Sequence, residues 1–319
     1  MRLNISNHKT CQCPNNHLNC LDAKCWIKSQ LGVWQVYYEG RDVRDKEVHP
    51  AVMPLNLAKR VIELFTHRGE LVLDPFAGIG TTLLAARELS RNAVGFDINK
   101  NYSTISNERL SQAKHSGNAE QVFVCDDASN ITDYLEEESV KLIFTSPPYA
   151  NLLNRKRLNK SRRGNLRQNS QYLRVEQYSQ DKRDLGTMQI EEYSQKLSKI
   201  YEKLFSILTP RGHNVINVPD MWWSNGTAGT RIPIHIHVYH AMTKAGYELR
   251  NTIIWDRTNI VNRIGIFGWP SNYITMGTTF EYLLDFWKPP SPPTAPIEKL
   301  SKQTKIERTR RNKPPQSDS

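Results

Sequence analysis

The sequence predicts an α/β protein with a seven-stranded, mostly parallel sheet and helices on both faces. Two observations lead to this prediction: short apolar runs alternate with helical patterns, and acidic or other polar residues follow several of the runs. Such alternation favours a parallel sheet covered on both faces. Because ligands of open parallel sheets bind beyond the carboxyl ends of the strands, these polar residues are candidates for a binding site. The predicted strands are 71–74, 92–97, 121–125, 140–145, 213–218, 249–255 and 280–286, and the predicted helices include 55–65, 83–89 and 191–208.

The first predicted strand runs into a glycine-rich turn, DPFAGIGTT, at residues 74–82. Gly78 and Gly80 let the backbone pass close to a ligand, and the free N–H groups at the start of the next helix can face polar ligand atoms. The run is not GxGxxG, so a nucleoside without a pyrophosphate is favoured over a dinucleotide. The candidate ligand contacts in this turn are Asp74, Pro75, Phe76, Gly78, Gly80, Thr81 and Thr82.

Carboxylates follow the next two predicted strands. Asp97 ends the run NAVGFD, and an acid in this position can accept hydrogen bonds from both hydroxyls of a ribose. Asp126 and Asp127 follow the third strand, and one of them could accept a hydrogen bond from an adenine amino group. An unrelated α/β protein that happens to carry strand-terminal acids is the alternative interpretation.

The fourth predicted strand ends in TSPPY, residues 145–149. Its two prolines fix their own φ and push the preceding residue out of the helical region, so the local carbonyl groups have set directions. The carbonyls of Ser146 and Pro147 can accept from an exocyclic NH2 group, and Tyr149 can stack on a base, a contact worth about 1–3 kcal/mol. A proline-terminated edge strand is the alternative. The predicted catalytic residues are Ser146, Pro147, Pro148 and Tyr149.

As a set, these motifs resemble the amino-methyltransferases that use S-adenosylmethionine to methylate adenine N6 or cytosine N4 in DNA. The resemblance covers about residues 30 to 288 and implies a Rossmann-like methyltransferase sheet. It includes HPAVMP at 49–54, which is similar to the segment that closes over the methionine end of the cofactor and adds His49 and Pro50 to the cofactor contacts. The glycine motif precedes the proline motif here, so the chain looks circularly permuted relative to many relatives.

The resemblance also implies a function and partners. Ser146 at the first position of the four-residue motif is similar to the cytosine N4 enzymes, whereas Asp or Asn is typical of adenine N6 enzymes. We therefore expect a site-specific enzyme that methylates cytosine N4 in duplex DNA, compatible with a restriction–modification system and a cognate restriction endonuclease. The alternatives are adenine N6 methylation, guanine N2 methylation of RNA, and a DNA-binding regulator that has lost turnover. No Pro-Cys pair follows a strand near the site, which disfavours the thiolate chemistry of C5-cytosine methylation.

Charge distribution indicates a polyanionic partner. The formal net charge is +11, and ten basic residues face only two acids between Arg155 and Arg183. We expect the basic insertion at 150–190 to lie on the nucleic-acid backbone and to order on binding, although a solvated charge run is the usual alternative. Residues 257–279 form a possible target-recognition loop, as does the segment 220–231, and either could be a plain surface loop. The predicted DNA contacts are Arg155, Lys156, Arg157, Arg162, Arg163 and Arg167.

The remaining segments set the domain organisation. Residues 1–48 form an N-terminal extension with Cys11, Cys13, Cys20 and Cys25, followed by the methyltransferase domain at 49–288 and a basic disordered tail at 289–319. We expect free thiols and no metal, with zinc or an iron–sulfur cluster as the alternative, because the spacing is not a common paired CxxC pattern. No apolar segment approaches the roughly 20 residues that span a bilayer, and the first residues lack the apolar core of a signal peptide. The expected location is the cytoplasm, with no membrane partner.

Overall fold

The computed structural model describes residues 2–45, 48–49, 51–113, 117–150, 181–224, 229–258 and 278–290. The central part of the predicted basic insertion therefore lies outside the described residues, together with all six predicted DNA contacts. Most of the possible target-recognition loop at 257–279, nearly all of the predicted tail at 289–319, and Pro50 also lie outside them.

One eight-stranded sheet forms the centre of the fold, in the order β1-β9-β10-β6-β5-β2-β3-β4. All neighbouring strands are parallel except β10, which runs antiparallel to both β6 and β9. Its strands are β1 (Val33–Gln35), β2 (Leu71–Asp74), β3 (Asn92–Phe96), β4 (Gln121–Val124), β5 (Val140–Thr145), β6 (Leu208–Val218), β9 (Glu248–Asp256) and β10 (Phe280–Trp287). A separate antiparallel pair consists of β7 (Met221–Ser224) and β8 (Gly229–Ile232).

Helices cover both faces of this sheet, as predicted. They are α1 (Ala23–Ser29), α2 (Gly40–Asp45), α3 (Leu55–Phe65), α4 (Thr81–Glu88), α5 (Lys100–Gln112), α6 (Ile131–Tyr134), α7 (Ile190–Ile207) and α8 (Ile234–Lys244). Side chains alternate between the two faces of a strand, and β2 shows this directly. Leu71 and Leu73 belong to the hydrophobic cluster that includes α7, whereas Val72 belongs to the cluster that includes α3 and α4. The α/β class and the mostly parallel sheet are thus confirmed.

The predicted count of seven strands in the sheet is wrong, because β1 adds an eighth. This strand has only three residues, and it pairs in parallel with β9 from Val33↔Ile254 to Gln35↔Asp256. Its central residue, Trp34, is 1% exposed. Three residues are too few to show a periodic pattern, so this strand depends on the partner strand that lies far away in the sequence.

Two further boundaries differ from the prediction. Strand β6 begins at Leu208 rather than at 213, because a register irregularity in its pairing with β5 absorbs the turn-like residues around Pro210. The segment 220–231, predicted as a loop, contains most of the β7–β8 pair. None of the helices in the described ranges is both long enough and apolar enough to cross a membrane.

The strand order positions a ligand site. Strands β5, β2, β3 and β4 are consecutive and parallel, so their carboxyl ends meet at one edge of the sheet. The residues that leave these ends are Ser146, Pro75, Asp97 and Asp126, in the same order. Motifs that are separated by up to about 70 residues in the chain therefore converge at one place.

Candidate active site

A cleft with an empty volume of about 650 Å³, part of it open solvent, lies at this edge. Predicted residues from the glycine turn, the strand-terminal acids, the proline corner and the 49–54 segment share its lining. They are His49, Pro75, Phe76, Gly78, Asp97, Asp126, Asp127, Ser146 and Pro148.

The glycine turn requires two residues with positive φ. Gly78 has φ 50° and Gly80 has φ 76°, a region that residues with a side chain rarely adopt. A Cβ atom added to Gly78 would lie 2.8 Å from Nε2 of His49. The backbone of the turn can therefore lie against the 49–54 segment only while this position has no side chain.

Asp97 is held by the glycine turn from one side and by its own loop from the other. The backbone N–H of Gly78 donates to Oδ2 at 2.9 Å, and the N–H of Asn99 donates to Oδ1 at 2.9 Å. Burial raises the pKa of Asp97 to about 7, although both N–H donors act to lower it, and the charges of Asp184 and Asp74 raise it further. Each carboxylate oxygen keeps a second lone pair. The side chain is therefore a positioned acceptor that is costly to keep ionised without a ligand.

The acid pair after β4 is already engaged within the protein. Asp126 accepts from the Tyr134 hydroxyl at 2.9 Å and from the Asn130 amide. Asp127 caps the short 3-10 helix at 128–130 and accepts from Lys196 Nζ at 3.0 Å. The pKa of each carboxyl lies below its usual value because these hydrogen bonds outweigh the opposing effect of burial. Both side chains are thus ionised acceptors at neutral pH.

His49 presents a neutral imidazole to the cleft. It is 8% exposed, and its ring centroid lies 4.8 Å from that of Tyr102. Burial, with the nearby charge of Arg109, lowers the pKa of His49 to about 4. Its Nδ1 accepts from the backbone N–H of Ala51 at 3.2 Å, which leaves the proton on Nε2. This ring is therefore neutral at pH 7.

Four of the predicted cofactor residues are not among those that line the cleft. Asp74, Gly80, Thr81 and Thr82 instead support the strands and the helix around it. Asp74 is 4% exposed, and its two oxygens accept from Thr82 Oγ1 at 2.6 Å and from Thr145 Oγ1 at 2.7 Å. Burial raises the pKa of Asp74 to about 6, against these hydrogen bonds. Asp74 thereby joins β2, β5 and the start of α4. Gly80 precedes α4 as its left-handed N-cap, and Thr81 Oγ1 accepts from Arg109 at 3.3 Å.

The proline corner places Ser146 and Pro148 on the cleft but turns Tyr149 into the core. The hydroxyl oxygens of Ser146 and Tyr149 lie 2.5 Å apart. Tyr149 is only 7% exposed and belongs to the cluster that contains α7. The stacking of a base on this ring stays a prediction, and it requires the ring face to become accessible.

Sequence reasoning missed several residues of the cleft. Arg183 and Asp184 contribute to its lining, as do Ile98 and Leu185. Asp184 caps the 3-10 helix at 185–187 by accepting from the N–H of Gly186 at 2.7 Å. The sequence predicts no strand directly before this acid, so the rule that found the strand-terminal acids could not find it. The only sequence signal was its position at the end of the basic insertion.

Comparison with known proteins identifies the family of this chain. A family profile described as DNA methylase, covering N6 and N4 methyltransferases, matches residues 12–108 and 140–318. The chain belongs to this DNA methylase family. Membership confirms the predicted class, an amino-methyltransferase of the N4-cytosine/N6-adenine type, whose methyl donor is S-adenosylmethionine as predicted.

Individual relatives match over shorter stretches. The type II methyltransferase M.HindIII of Haemophilus influenzae is 49% identical over 72 residues, which is 23% of each chain. The type II methyltransferase M.BglI of Bacillus subtilis is 35% identical over 116 residues, 36% of this chain and 32% of that protein. The matched stretches therefore span about a third or less of these relatives. Among solved structures, a SAM-dependent methyltransferase from Methanosarcina mazei is 9% identical with a TM-score of 0.45, over 72% of this chain and 98% of that one.

Proposed function

We propose that this chain transfers a methyl group from S-adenosylmethionine to the exocyclic amine of a base in duplex DNA, with cytosine N4 as the preferred acceptor. One observation carries the proposal: a single cleft is lined both by the Asp97 carboxylate and by the Ser146–Pro148 corner. The first group suits a nucleoside, and the second suits an amine-bearing ring. Their presence in one cleft supports transfer between two such molecules.

The residues of the cleft fit the proposed cofactor. Asp97 has lone pairs to accept from the two ribose hydroxyls. Ile98 and Phe76 supply apolar lining for a flat base, and the ionised Asp126 carboxylate lies in the same lining. To accept from the amino group of the base, Asp126 would exchange one of its contacts with the Asn130 amide. The missing Cβ of Gly78 lets the His49 ring pack directly against the backbone of the glycine turn. When bound, the cofactor supplies a methyl group on a positively charged sulfonium.

The charge of the lining also suits a cationic ligand. His49 stays neutral because its pKa is lowered to about 4, so this ring does not repel a sulfonium. Asp126 and Asp127 add negative charge to the same cleft, and Asp97, whose pKa is raised to about 7, adds more when it is ionised. Arg183 is the one basic side chain in the described lining, and it forms an ion pair with Asp181 at 2.7 Å. The net charge of the lining is therefore negative.

The proline corner prepares the acceptor amine. An exocyclic amine is a weak nucleophile because its lone pair is delocalised into the ring. Ser146 Oγ and the Pro147 carbonyl can accept hydrogen bonds from its two N–H groups, which favours a pyramidal nitrogen with a localised lone pair. The Tyr149 hydroxyl holds Ser146 Oγ at 2.5 Å and so fixes one of these acceptors in place. The target base must first leave its duplex to reach this corner.

The proposal also names the base and the partners. Ser146 is the residue type that resembles cytosine N4 enzymes, and adenine N6 is the alternative product. The formal charge of +11 supports binding to a polyanion. The type II naming of the two relatives supports a restriction–modification role with a partner endonuclease. We propose that the basic insertion, which includes Arg155, contacts the DNA backbone.

Transfer of a radiolabelled methyl group tests the proposal. The full chain is incubated with methyl-labelled S-adenosylmethionine and with either duplex DNA or tRNA. We expect label in DNA only, and digestion to nucleosides should yield N4-methylcytosine. Detection of N6-methyladenine would support the proposed enzyme class but show that the acceptor is adenine and not cytosine. Label in tRNA alone, or in neither polymer, would refute the proposal.

A further inference from the structure

Three cysteines of the N-terminal extension meet one histidine of the methyltransferase domain. The ligand atoms of Cys11, Cys13, Cys20 and His67 all lie within 4.8 Å of one another. The Sγ atom of Cys11 is 3.5 Å from that of Cys20, 3.3 Å from that of Cys13, and 3.4 Å from Nδ1 of His67. The Cys20 Sγ atom is 3.8 Å from the same nitrogen.

These separations match the edges of a tetrahedral zinc site. With Zn–S bonds of about 2.3 Å and Zn–N bonds of about 2.0–2.1 Å, tetrahedral angles give edges of about 3.5–3.8 Å. The four edges given above, 3.3–3.8 Å, are close to these values, and the other two edges, from Cys13 to Cys20 and to His67, are within 4.8 Å. Each residue supplies one ligand atom, which completes a Cys3His set.

A disulfide accounts less well for the cluster. The shortest sulfur–sulfur separation is 3.3 Å, whereas a disulfide bond is about 2.05 Å long. Three thiols cannot all pair with one another, and a disulfide would give the imidazole no role. His67 is nevertheless directed with Nδ1 toward two of the sulfur atoms.

Neighbouring groups support thiolate ligands at this position. The backbone N–H of Arg68 donates to Cys20 Sγ at 3.4 Å, and such outer hydrogen bonds are typical of metal-bound sulfur. Glu70 Oε2 accepts from the backbone N–H of His67 at 2.6 Å, which fixes the turn that carries the imidazole. All four ligand residues are half-buried.

We propose that Cys11, Cys13, Cys20 and His67 bind one zinc ion in a closed Cys3His site. Three thiolates and an imidazole are ligands that zinc accepts readily, and hard cations such as Mg²⁺ and Ca²⁺ prefer oxygen. Most iron–sulfur clusters use four cysteines. Since four protein ligands complete the coordination, the site has no open position for a substrate, and its role is structural.

The site joins the N-terminal extension to the core at the start of β2. His67 lies between α3 and β2, and the extension is already paired with this region by hydrogen bonds. Thr10 N–H donates to the Arg68 carbonyl at 2.8 Å, and Leu71 N–H donates to Asn7 Oδ1 at 2.8 Å. Strand β2 then ends at Asp74, so zinc fastens the amino end of the strand whose carboxyl end carries the glycine turn.

The first test uses the unaltered full-length chain, purified in reducing buffer without chelator. We expect one zinc per chain by elemental analysis. Replacement by Co²⁺ should give the visible absorption bands of a tetrahedral sulfur-rich site. Alkylation followed by mass mapping should modify Cys25 and Cys125 freely but modify Cys11, Cys13 and Cys20 only after chelation. Zinc well below one equivalent together with no cobalt spectrum would overturn the proposal, as would a native disulfide between two of the three cysteines.

Matched variants then test whether His67 is a zinc ligand. His67→Cys offers a fourth thiolate and should retain zinc, whereas His67→Ala should bind zinc at least tenfold more weakly. Cys25→Ser is the control and should retain a full equivalent, because this residue lies outside the cluster. Equal zinc affinity in His67→Ala and the unaltered chain would remove His67 from the site. Since the readout is metal content, its result is independent of methyl transfer.

Discussion

The hydroxyl oxygens of Ser146 and Tyr149 lie 2.5 Å apart, so a hydrogen bond joins the two ends of the proline corner. This contact fixes the Ser146 side chain at the cleft and keeps the phenol of Tyr149 in the core. The serine is therefore positioned in advance for a substrate amine. The tyrosine ring has a structural role in the present arrangement, and its predicted stacking role requires a change in its exposure.

Substitution of Ser146 tests its role in the chemical step. Ser146→Ala removes one predicted acceptor of the amine protons, and we expect kcat to fall about 100-fold, the usual effect of losing one positioned polar contact. Cofactor affinity should be unchanged. Ser139→Ala is a matched control, because Ser139 donates only to the nearby Glu136 carbonyl on the surface. Unchanged kcat in Ser146→Ala would remove this residue from the mechanism.

Two substitutions separate the packing of Tyr149 from its hydroxyl. Tyr149→Ala should abolish most turnover and also lower thermal stability, because truncation of a buried aromatic residue costs about 3–5 kcal/mol. Tyr149→Phe keeps the ring and should retain most of the stability, while turnover falls because Ser146 loses its partner. Turnover assays and thermal melts on both variants give the comparison. Full activity in Tyr149→Ala would contradict both roles.

Asp97 should determine cofactor affinity. Asp97→Ala removes the acceptor for the ribose hydroxyls, and we expect S-adenosylmethionine to bind about 10–100-fold more weakly, equivalent to about 1.4–2.8 kcal/mol. Turnover at saturating cofactor should change much less. Isothermal titration with the cofactor measures the affinity. If the Kd of Asp97→Ala equals that of the unaltered chain, the cofactor does not bind at this carboxylate.

The pKa of Asp97 predicts a pH dependence of the same affinity. Burial raises this pKa to about 7, so the free protein holds a proton on Asp97 at lower pH. The ribose hydroxyls favour the ionised acceptor, so that proton must leave before they bind. The Kd should therefore be constant above pH 8 and rise about tenfold per pH unit below pH 7. Asp97→Asn is the control, and its Kd should not depend on pH in this way. An equal Kd at pH 6 and pH 8 in the unaltered chain would refute the prediction that ionisation of Asp97 controls cofactor affinity.

Cofactor binding should require glycine at position 78 because a side chain there would collide with His49, and not only because of the positive φ. In Gly78→Ala the new Cβ would lie 2.8 Å from His49 Nε2, so the 49–54 segment must move. Gly117 also has positive φ, 98°, but a Cβ there would have its nearest neighbour at 3.8 Å. Both alanine variants should lose about 1–2 kcal/mol of stability through φ strain. Only Gly78→Ala should lose cofactor binding, and equal binding by the two variants would contradict the close approach.

The sequence predicted the centre of the fold better than its edges. Strands β2 to β5 were predictable because each is a mostly apolar run with a polar residue at or just after its end, and their parallel pairing brings those ends together. Strand β1 was not predictable, because its three residues depend on pairing with β9. Asp184 was missed since the sequence directly before it contains no apolar run that predicts a strand. The meeting of His67 with the cysteines depends on how the extension crosses the start of β2, which no local pattern records.

Sequencing of modified DNA tests the central claim most directly. Genomic DNA from cells that express the unaltered chain, and from cells that express Ser146→Ala, is digested for mass spectrometry and is read by long-read sequencing. The account predicts N4-methylcytosine in one recurring sequence context with the unaltered chain, and its loss with the variant. An absence of any methylated exocyclic amine from the DNA of cells that contain the folded, cofactor-binding protein would contradict it.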